Sequence, residues 1–117
     1  EDFFTGPKQN VLGNDEVLVR LEIPPMQPGS AGEYIKFGIR NVSECAIIGV
    51  AALVTVEPDS NTCVAARLAY ATAGPTPIRV KEAEAVLTGQ VLDSEVIERA
   101  AATASKAASP RTSWRCR

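Results

Sequence analysis

The chain has 117 residues, 45% of them hydrophobic and 22% charged, with a net charge of −2. This length suits a single domain, 1–117, that buries roughly two-thirds of its unfolded surface. The near-neutral charge gives no electrostatic case for binding nucleic acid, and no apolar run is long enough to span a membrane. The chain has no histidine, which excludes Ser/His/Asp and Cys/His catalytic arrangements and removes the usual zinc ligand.

The three cysteines, Cys45, Cys63 and Cys116, do not have the spacing of a metal site. Their odd number argues against a secreted disulfide framework, so we expect a reducing, cytoplasmic compartment. No metal site and no catalytic residue is predicted in this chain. Any chemistry is therefore expected to come from a bound cofactor or from another polypeptide.

The first predicted element follows a loop-like N-terminal segment, 1–14. Residues 16–23 predict a strand, because Val17, Val19, Leu21 and Ile23 alternate with more polar positions. Leu18 is the exception, an apolar residue on the face that also carries Arg20 and Glu22. The prolines that follow at 24 and 25 end this strand, since proline lacks the backbone donor that a ladder needs.

Three more strands are predicted at 34–40, 45–56 and 64–71. Residues 34–40 alternate between apolar and polar positions, which places Tyr34 and Lys36 on one face. Residues 45–56 are apolar on both faces, which predicts a central strand covered on both sides. Short connections between neighbouring strands favour antiparallel pairing.

Two helices are predicted after the strands. The first covers 80–87, with Gly89 as its C-terminal stop, and the second covers 94–108, with Asp93 as its N-cap. The tail, 109–117, has no predicted structure. Strands followed by helices indicate an α+β fold, with a small antiparallel sheet of three to four strands and two helices packed on one face.

The ordered set of segments resembles one family over nearly the whole chain. The segments are DFFTG at 2–6, EVLVRLEIP at 16–24, YIKFGIR at 34–40, AIIGVAA at 46–52 and CVAARLAYATAGPTPIRVKEAEAVLTGQVLD at 63–93. Together they resemble the C-terminal domain of the FAD-binding (medium) subunit of molybdenum hydroxylases. That group contains carbon monoxide dehydrogenases and xanthine dehydrogenases.

The resemblance implies half of a flavin site. In the family, an N-terminal FAD-binding domain holds the pyrophosphate and the C-terminal domain closes over the isoalloxazine. The flavin receives electrons from an iron–sulfur small subunit, which received them from a molybdenum large subunit. The matching positions here are Leu18, Lys36 and, beside it, Tyr34. We therefore expect FAD to bind only together with an N-terminal domain, and the chain to be inactive alone.

The residues leave a second function open. A detached domain, either a piece of a longer subunit or a stand-alone copy, could have kept the fold and lost the cofactor. Phe3, Phe4, Leu18 and Trp114 would then belong to an apolar surface that drives self-association. The strand pattern alone favours an ordinary solvated sheet face for Tyr34 and Lys36, and only the resemblance favours a place beside a flavin.

Overall fold

A computed structural model of the chain describes residues 2–40, 42 and 46–108. A hairpin of β1 (Phe4–Gly6) and β2 (Gln9–Asn10) precedes a four-stranded sheet of β3 (Ser30–Phe37), β4 (Ile48–Val56), β5 (Cys63–Ala71) and β6 (Ile78–Arg79). Two helices, α1 (Lys81–Leu87) and α2 (Ser94–Ala107), follow the sheet. The predicted α+β fold, with a small antiparallel sheet and two helices, is confirmed.

The large sheet has the strand order β3-β4-β5-β6, and all three pairings are antiparallel. The predicted central position of β4 is confirmed, since β3 and β5 flank it. The predicted cover on both of its faces is not seen among the described residues, because the helices lie on one face only. Its residues are mostly half-buried because the helices cover one face of the sheet. On the helix side lie Val50 and Val54, which pair in register with Ile35 and Ala31 of β3.

The observed bounds of several strands differ from the predicted bounds. The strand predicted at 34–40 runs over Ser30–Phe37, and the strand predicted at 45–56 is described from Ile48 onward. Cys45 and the predicted tail, 109–117, lie outside the described residues. The hairpin β1–β2 replaces the loop expected at 1–14, and the short strand β6 was not predicted.

The prediction of a strand at 16–23 is wrong. Residues 16–27 have no regular secondary structure, and their side chains are exposed. The four alternating apolar side chains are 79% to 88% exposed: Val17, Val19, Leu21 and Ile23. The alternation predicted burial against a sheet, but a strand also needs a ladder partner. Within the described part of the chain, none pairs with this segment.

The core lies between the sheet and the helices, in two clusters. One is centred on Cys63, Ala66 and Val96, and the other on Tyr70 and Val80. The small side chains Ala100 and Ala104 let α2 approach the core closely. Ile97 on the same helix is 53% exposed and lies outside the core.

Both helix ends agree with the sequence. The Asp93 side chain accepts a hydrogen bond of 2.8 Å from the Val96 backbone N–H, as expected of an N-cap. Gly89 follows α1 with a φ of +80°, a conformation that favours glycine. Among the described residues, no helix is both long enough and apolar enough to cross a membrane.

Candidate functional site

Tyr34 and Lys36 are two residues apart on β3, and both lie on the face of the sheet opposite the helices. Their placement follows from the register, because the intervening Ile35 pairs with Val50, which faces α2. Tyr34 is 56% exposed. The structure therefore brings together two of the three predicted site residues, on what we call the open face of the sheet.

The floor of the open face consists of very small side chains. Tyr34 pairs with Ala51 and Lys36 pairs with Gly49, and these continue across β5 to Ala69 and Ala71. A floor of glycine and alanine leaves a flat surface that a planar group can approach closely. A methyl group added at Gly49 would collide with the Tyr34 hydroxyl, so the phenol ring lies directly over this glycine.

At the strand positions of the open face that the structure describes, the charged side chains are basic. Among the residues of β3, β4 and β5 that point to this side, the ionisable ones are Tyr34, Lys36 and Arg67. Asp and Glu do not occur at these positions; Glu33 pairs with Ala52 and points to the helix side. An aromatic ring and two cations beside a flat floor suit a planar ligand that carries negative charge.

Leu18, the third predicted site residue, is not brought to this face by strand pairing. It lies in the irregular segment 16–27 and is 49% exposed. Pairing of the strand predicted at 16–23 with β3 would have brought Leu18 beside Tyr34 and Lys36, and that pairing is absent among the described residues. Its position relative to a flavin therefore remains a prediction.

A partly buried ion pair between Arg79 and Glu84 at the edge of the sheet was not predicted from the sequence. The Glu84 carboxylate of α1 accepts hydrogen bonds from Arg79 Nε at 2.7 Å and Arg79 Nη2 at 2.6 Å. It also accepts one from the Leu68 backbone N–H at 2.8 Å. The hydrogen bonds from Arg79 lower the pKa of Glu84, although burial opposes them. Each hydrogen bond is internal to the fold, so the pair joins α1 to β5 and β6.

A cavity of about 610 Å³ beside the open face is lined by Phe3, Phe4, Ala69, Pro77, Arg79 and Lys81, among others. A groove of about 370 Å³ between β4, β5 and α2 is lined almost entirely by apolar side chains. Burial raises the pKa of the Cys63 thiol and of the Tyr70 phenol, so both are uncharged at neutral pH. In the described parts of the chain, Cys, Asp and Glu do not form a group of three or more that could hold a metal ion.

Comparison with known proteins identifies similar domains. Residues 33–117 match the family model of the CO dehydrogenase flavoprotein C-terminal domain. The chain is 32% identical over 114 residues to the xanthine dehydrogenase FAD-binding subunit of Escherichia coli O157:H7. That match covers 97% of this chain and 38% of the relative, so the chain spans well under half the length of such subunits.

Solved structures agree with the sequence matches. Carbon monoxide dehydrogenase from Hydrogenophaga pseudoflava superimposes with a TM-score of 0.86 at 28% identity, covering 96% of this chain and 38% of that one. Quinoline 2-oxidoreductase from Pseudomonas putida 86 gives a TM-score of 0.81 at 30% identity, covering 97% of this chain and 38% of the other. These matches cover nearly the whole chain, including most of the residues before 33, which the family model does not cover.

Proposed function

Since the chain belongs to the CO dehydrogenase flavoprotein C-terminal domain family, we propose that it closes over the flavin ring in an FAD-binding electron-transfer subunit. The full subunit would serve a molybdenum hydroxylase in the cytoplasm, with an iron–sulfur small subunit and a molybdenum large subunit as partners. This chain would form one wall of the flavin site, and an N-terminal FAD-binding domain would supply the rest. Alone, the chain would be inactive.

The open face of the sheet is the observation that carries this proposal. The Tyr34 ring covers Gly49, the neighbouring floor at Ala51 and Ala71 carries only methyl side chains, and Lys36 lies on the same face. FAD, when bound, supplies a carrier that accepts and passes on electrons. The Lys36 ammonium would offset negative charge at the pyrimidine edge of the ring, and Tyr34 would orient the ring by contact. Leu18 would pack against the ring from the segment before β3.

A chimera tests the proposal. The matched residues of the Escherichia coli O157:H7 FAD-binding subunit are replaced by this chain, and FAD is titrated into the chimera and into the chain alone. We expect the chimera to bind FAD and to quench its fluorescence, and the chain alone to bind it far more weakly. Lys36→Ala should weaken FAD binding about tenfold, the equivalent of 1.4 kcal/mol, and lower the potential of the flavin.

Lys106→Ala is the matched control, because Lys106 is an exposed lysine in the last turn of α2. It removes the same charge from the chain without touching the open face. If the Lys36→Ala chimera kept the affinity, the spectrum and the potential of the unsubstituted chimera, the placement of Lys36 beside the flavin would be wrong. If the folded chimera bound no FAD at all, the proposed function itself would fail.

A second function, self-association without FAD, has its own supporting observation. Ile35 and Phe37 on β3 are 63% and 61% exposed, on the helix side of the sheet beyond the reach of α2. Sedimentation velocity at increasing concentration of the isolated chain separates the two functions. Two results together would favour self-association: a dimer of the isolated chain that persists at low concentration, and a chimera that does not bind FAD.

A further inference from the structure

The cavity of about 610 Å³ lies at the β5–β6 side of the open face, away from the residues proposed to contact the flavin. Ala69 lines it and pairs with Ala51 of β4 on one side and with Arg79 of β6 on the other. Because paired residues of neighbouring strands point to the same face, the cavity shares the open face with Tyr34. Two strand spacings, about 10 Å, separate β5 from β3.

Two phenyl rings of the N-terminal hairpin form an aromatic wall of this cavity. The rings of Phe3 and Phe4 meet edge to face, with centroids 5.1 Å apart and planes at 89°. The hairpin holds them in place, since the Val11 N–H donates a 3.0 Å hydrogen bond to the Phe3 carbonyl and Phe4 pairs with Asn10. In the described part of the chain, no backbone–backbone hydrogen bond joins this hairpin to the large sheet. The cavity therefore lies between the two rings and the sheet.

The sheet side of the cavity carries positive charge. Arg79 and Lys81 line it, and its described lining residues include neither Asp nor Glu. The Glu84 carboxylate of α1 accepts from Arg79 Nε and Nη2, which fixes the orientation of the guanidinium. Lys81, the first residue of α1, brings a second cation to the same wall. By contrast, the groove of about 370 Å³ on the helix side has no charged group among its described lining residues.

These features together define a class of ligand. The volume is within the range of small-molecule sites, about 300 to 1,000 Å³. Phenyl rings favour a planar aromatic group, and the side chains of Arg and Lys favour a carboxylate. We propose that the cavity binds a small aromatic carboxylate, with its ring against Phe3 and Phe4 and its carboxylate toward Arg79 and Lys81. This site is additional to the proposed flavin site, and its occupancy does not require FAD.

Titration of the isolated chain with naphthoate, without FAD, tests the inference. Amide NMR spectra should show saturable shifts at residues 3–4 and 78–81, with a dissociation constant below about 1 mM. Naphthalenemethanol has the same ring without the charge, and cyclohexanecarboxylate has the charge without the aromatic ring. We expect each of them to bind about tenfold more weakly than naphthoate.

Two variants and a matched control locate the ligand. Lys81→Gln removes a cation of the cavity and should weaken naphthoate binding about fivefold. Phe4→Leu keeps an apolar side chain on the hairpin but removes a ring, and it should also weaken binding about fivefold. Lys106→Gln removes an exposed lysine in the last turn of α2 and should leave the affinity within about twofold. Arg79 is kept, because its pair with Glu84 supports the fold.

The absence of a saturable shift at about 10 mM naphthoate would overturn the inference. So would shifts that map to the groove on the helix side, equal affinity for naphthalenemethanol, or unchanged affinity in both cavity variants. Each of these results concerns the chain without FAD and leaves the proposed function intact.

The chimera separates the two sites. Saturation with FAD should change its affinity for naphthoate by less than about threefold. Loss of naphthoate binding in the chimera before FAD is added would show that the preceding part of the subunit fills the cavity. Loss only after FAD is added would show that the cavity belongs to the flavin site. Either loss would overturn the inference, whereas a chimera that bound naphthoate but no FAD would refute the proposed function alone.

Discussion

The phenol ring of Tyr34 on β3 lies over the backbone of Gly49 on β4, diagonally across the open face of the sheet. The absence of a side chain at position 49 sets the height and direction of the ring. The position of the Tyr34 ring therefore depends on a residue that has no side chain. Gly49 thereby becomes part of the candidate flavin site.

Gly49→Ala should move Tyr34 without unfolding the domain. The added methyl group meets the end of a side chain that is 56% exposed and can swing aside, so we expect the free energy of unfolding to change by less than about 1 kcal/mol. In the chimera, the substitution should weaken FAD binding as much as Tyr34→Ala does. The double variant should be no weaker than either single variant, and additive losses would show that Gly49 acts independently of Tyr34.

Removing the Glu84 carboxylate should strongly destabilise the domain. Glu84→Ala leaves the Leu68 N–H without its acceptor and removes the carboxylate that Arg79 contacts. Because the Arg79 side chain is 33% exposed and can reach water, we expect a loss of about 3 kcal/mol, at the lower end of the range for broken buried pairs. Glu84→Gln keeps an oxygen for Leu68 and should cost less. Urea denaturation measures both, and equal losses would mean that the Leu68 bond has no net value.

The same carboxylate predicts a pH dependence of stability. Arg79 lowers the pKa of Glu84 in the folded protein from its ordinary value of 4.5. Its stabilisation is therefore complete above that value and is lost as the pH falls through the lower, folded-state pKa. The difference in unfolding free energy between the parent chain and Glu84→Gln should be constant from about pH 7 to about pH 5 and shrink below. A difference that grew on acidification would contradict the direction of this shift.

The elements that the sequence predicts best are those whose signals are local. Asp93 and Gly89 mark helix ends through backbone chemistry within a few residues, and both predictions are confirmed. The alternation around Tyr34 and Lys36 also placed them correctly on one face. The prediction of a strand at 16–23 was wrong because alternation predicts only an extended chain. Formation of a ladder depends on a second strand elsewhere in the structure.

Glu84 was missed for a related reason. A glutamate in a predicted helix is usually solvated, so its burial is unexpected. The available signal was its position, four residues after Val80 and three before Leu87, which places it on the apolar stripe of α1. A charged residue on such a stripe needs a partner, and Arg79 stands just before the helix. The sequence contains this information, but only the fold shows that Leu68 offers its backbone N–H at the same place.

Asp93→Ala should reduce stability through the first turn of α2. The substitution removes the acceptor of the Val96 N–H and also a negative charge at the positive end of the helix dipole. We expect a loss of about 1 kcal/mol in urea denaturation. Asp93→Asn keeps an oxygen acceptor and should lose less than half of that. If the asparagine variant were as unstable as the alanine variant, charge rather than capping would be the main contribution.

Gly29 and Gly89 form a matched pair that separates backbone strain from steric collision. Both have positive φ, +76° and +80°, so alanine at either position carries a conformational cost of about 1 kcal/mol. The space around them differs. A methyl group at Gly89 meets no atom within 4 Å, whereas one at Gly29 collides with the Val56 backbone carbonyl.

Gly29→Ala should therefore destabilise the domain by about 2 kcal/mol more than Gly89→Ala does, because the carbonyl of β4 cannot move without disturbing its ladder. Urea denaturation of the two variants measures the difference directly. The Val56 N–H also donates to the Gly29 carbonyl, so the collision would loosen the turn that starts β3. Equal losses of unfolding free energy in the two variants would show that the turn at Gly29 can shift to relieve the collision. The turn would then not hold the first residues of β3 in place.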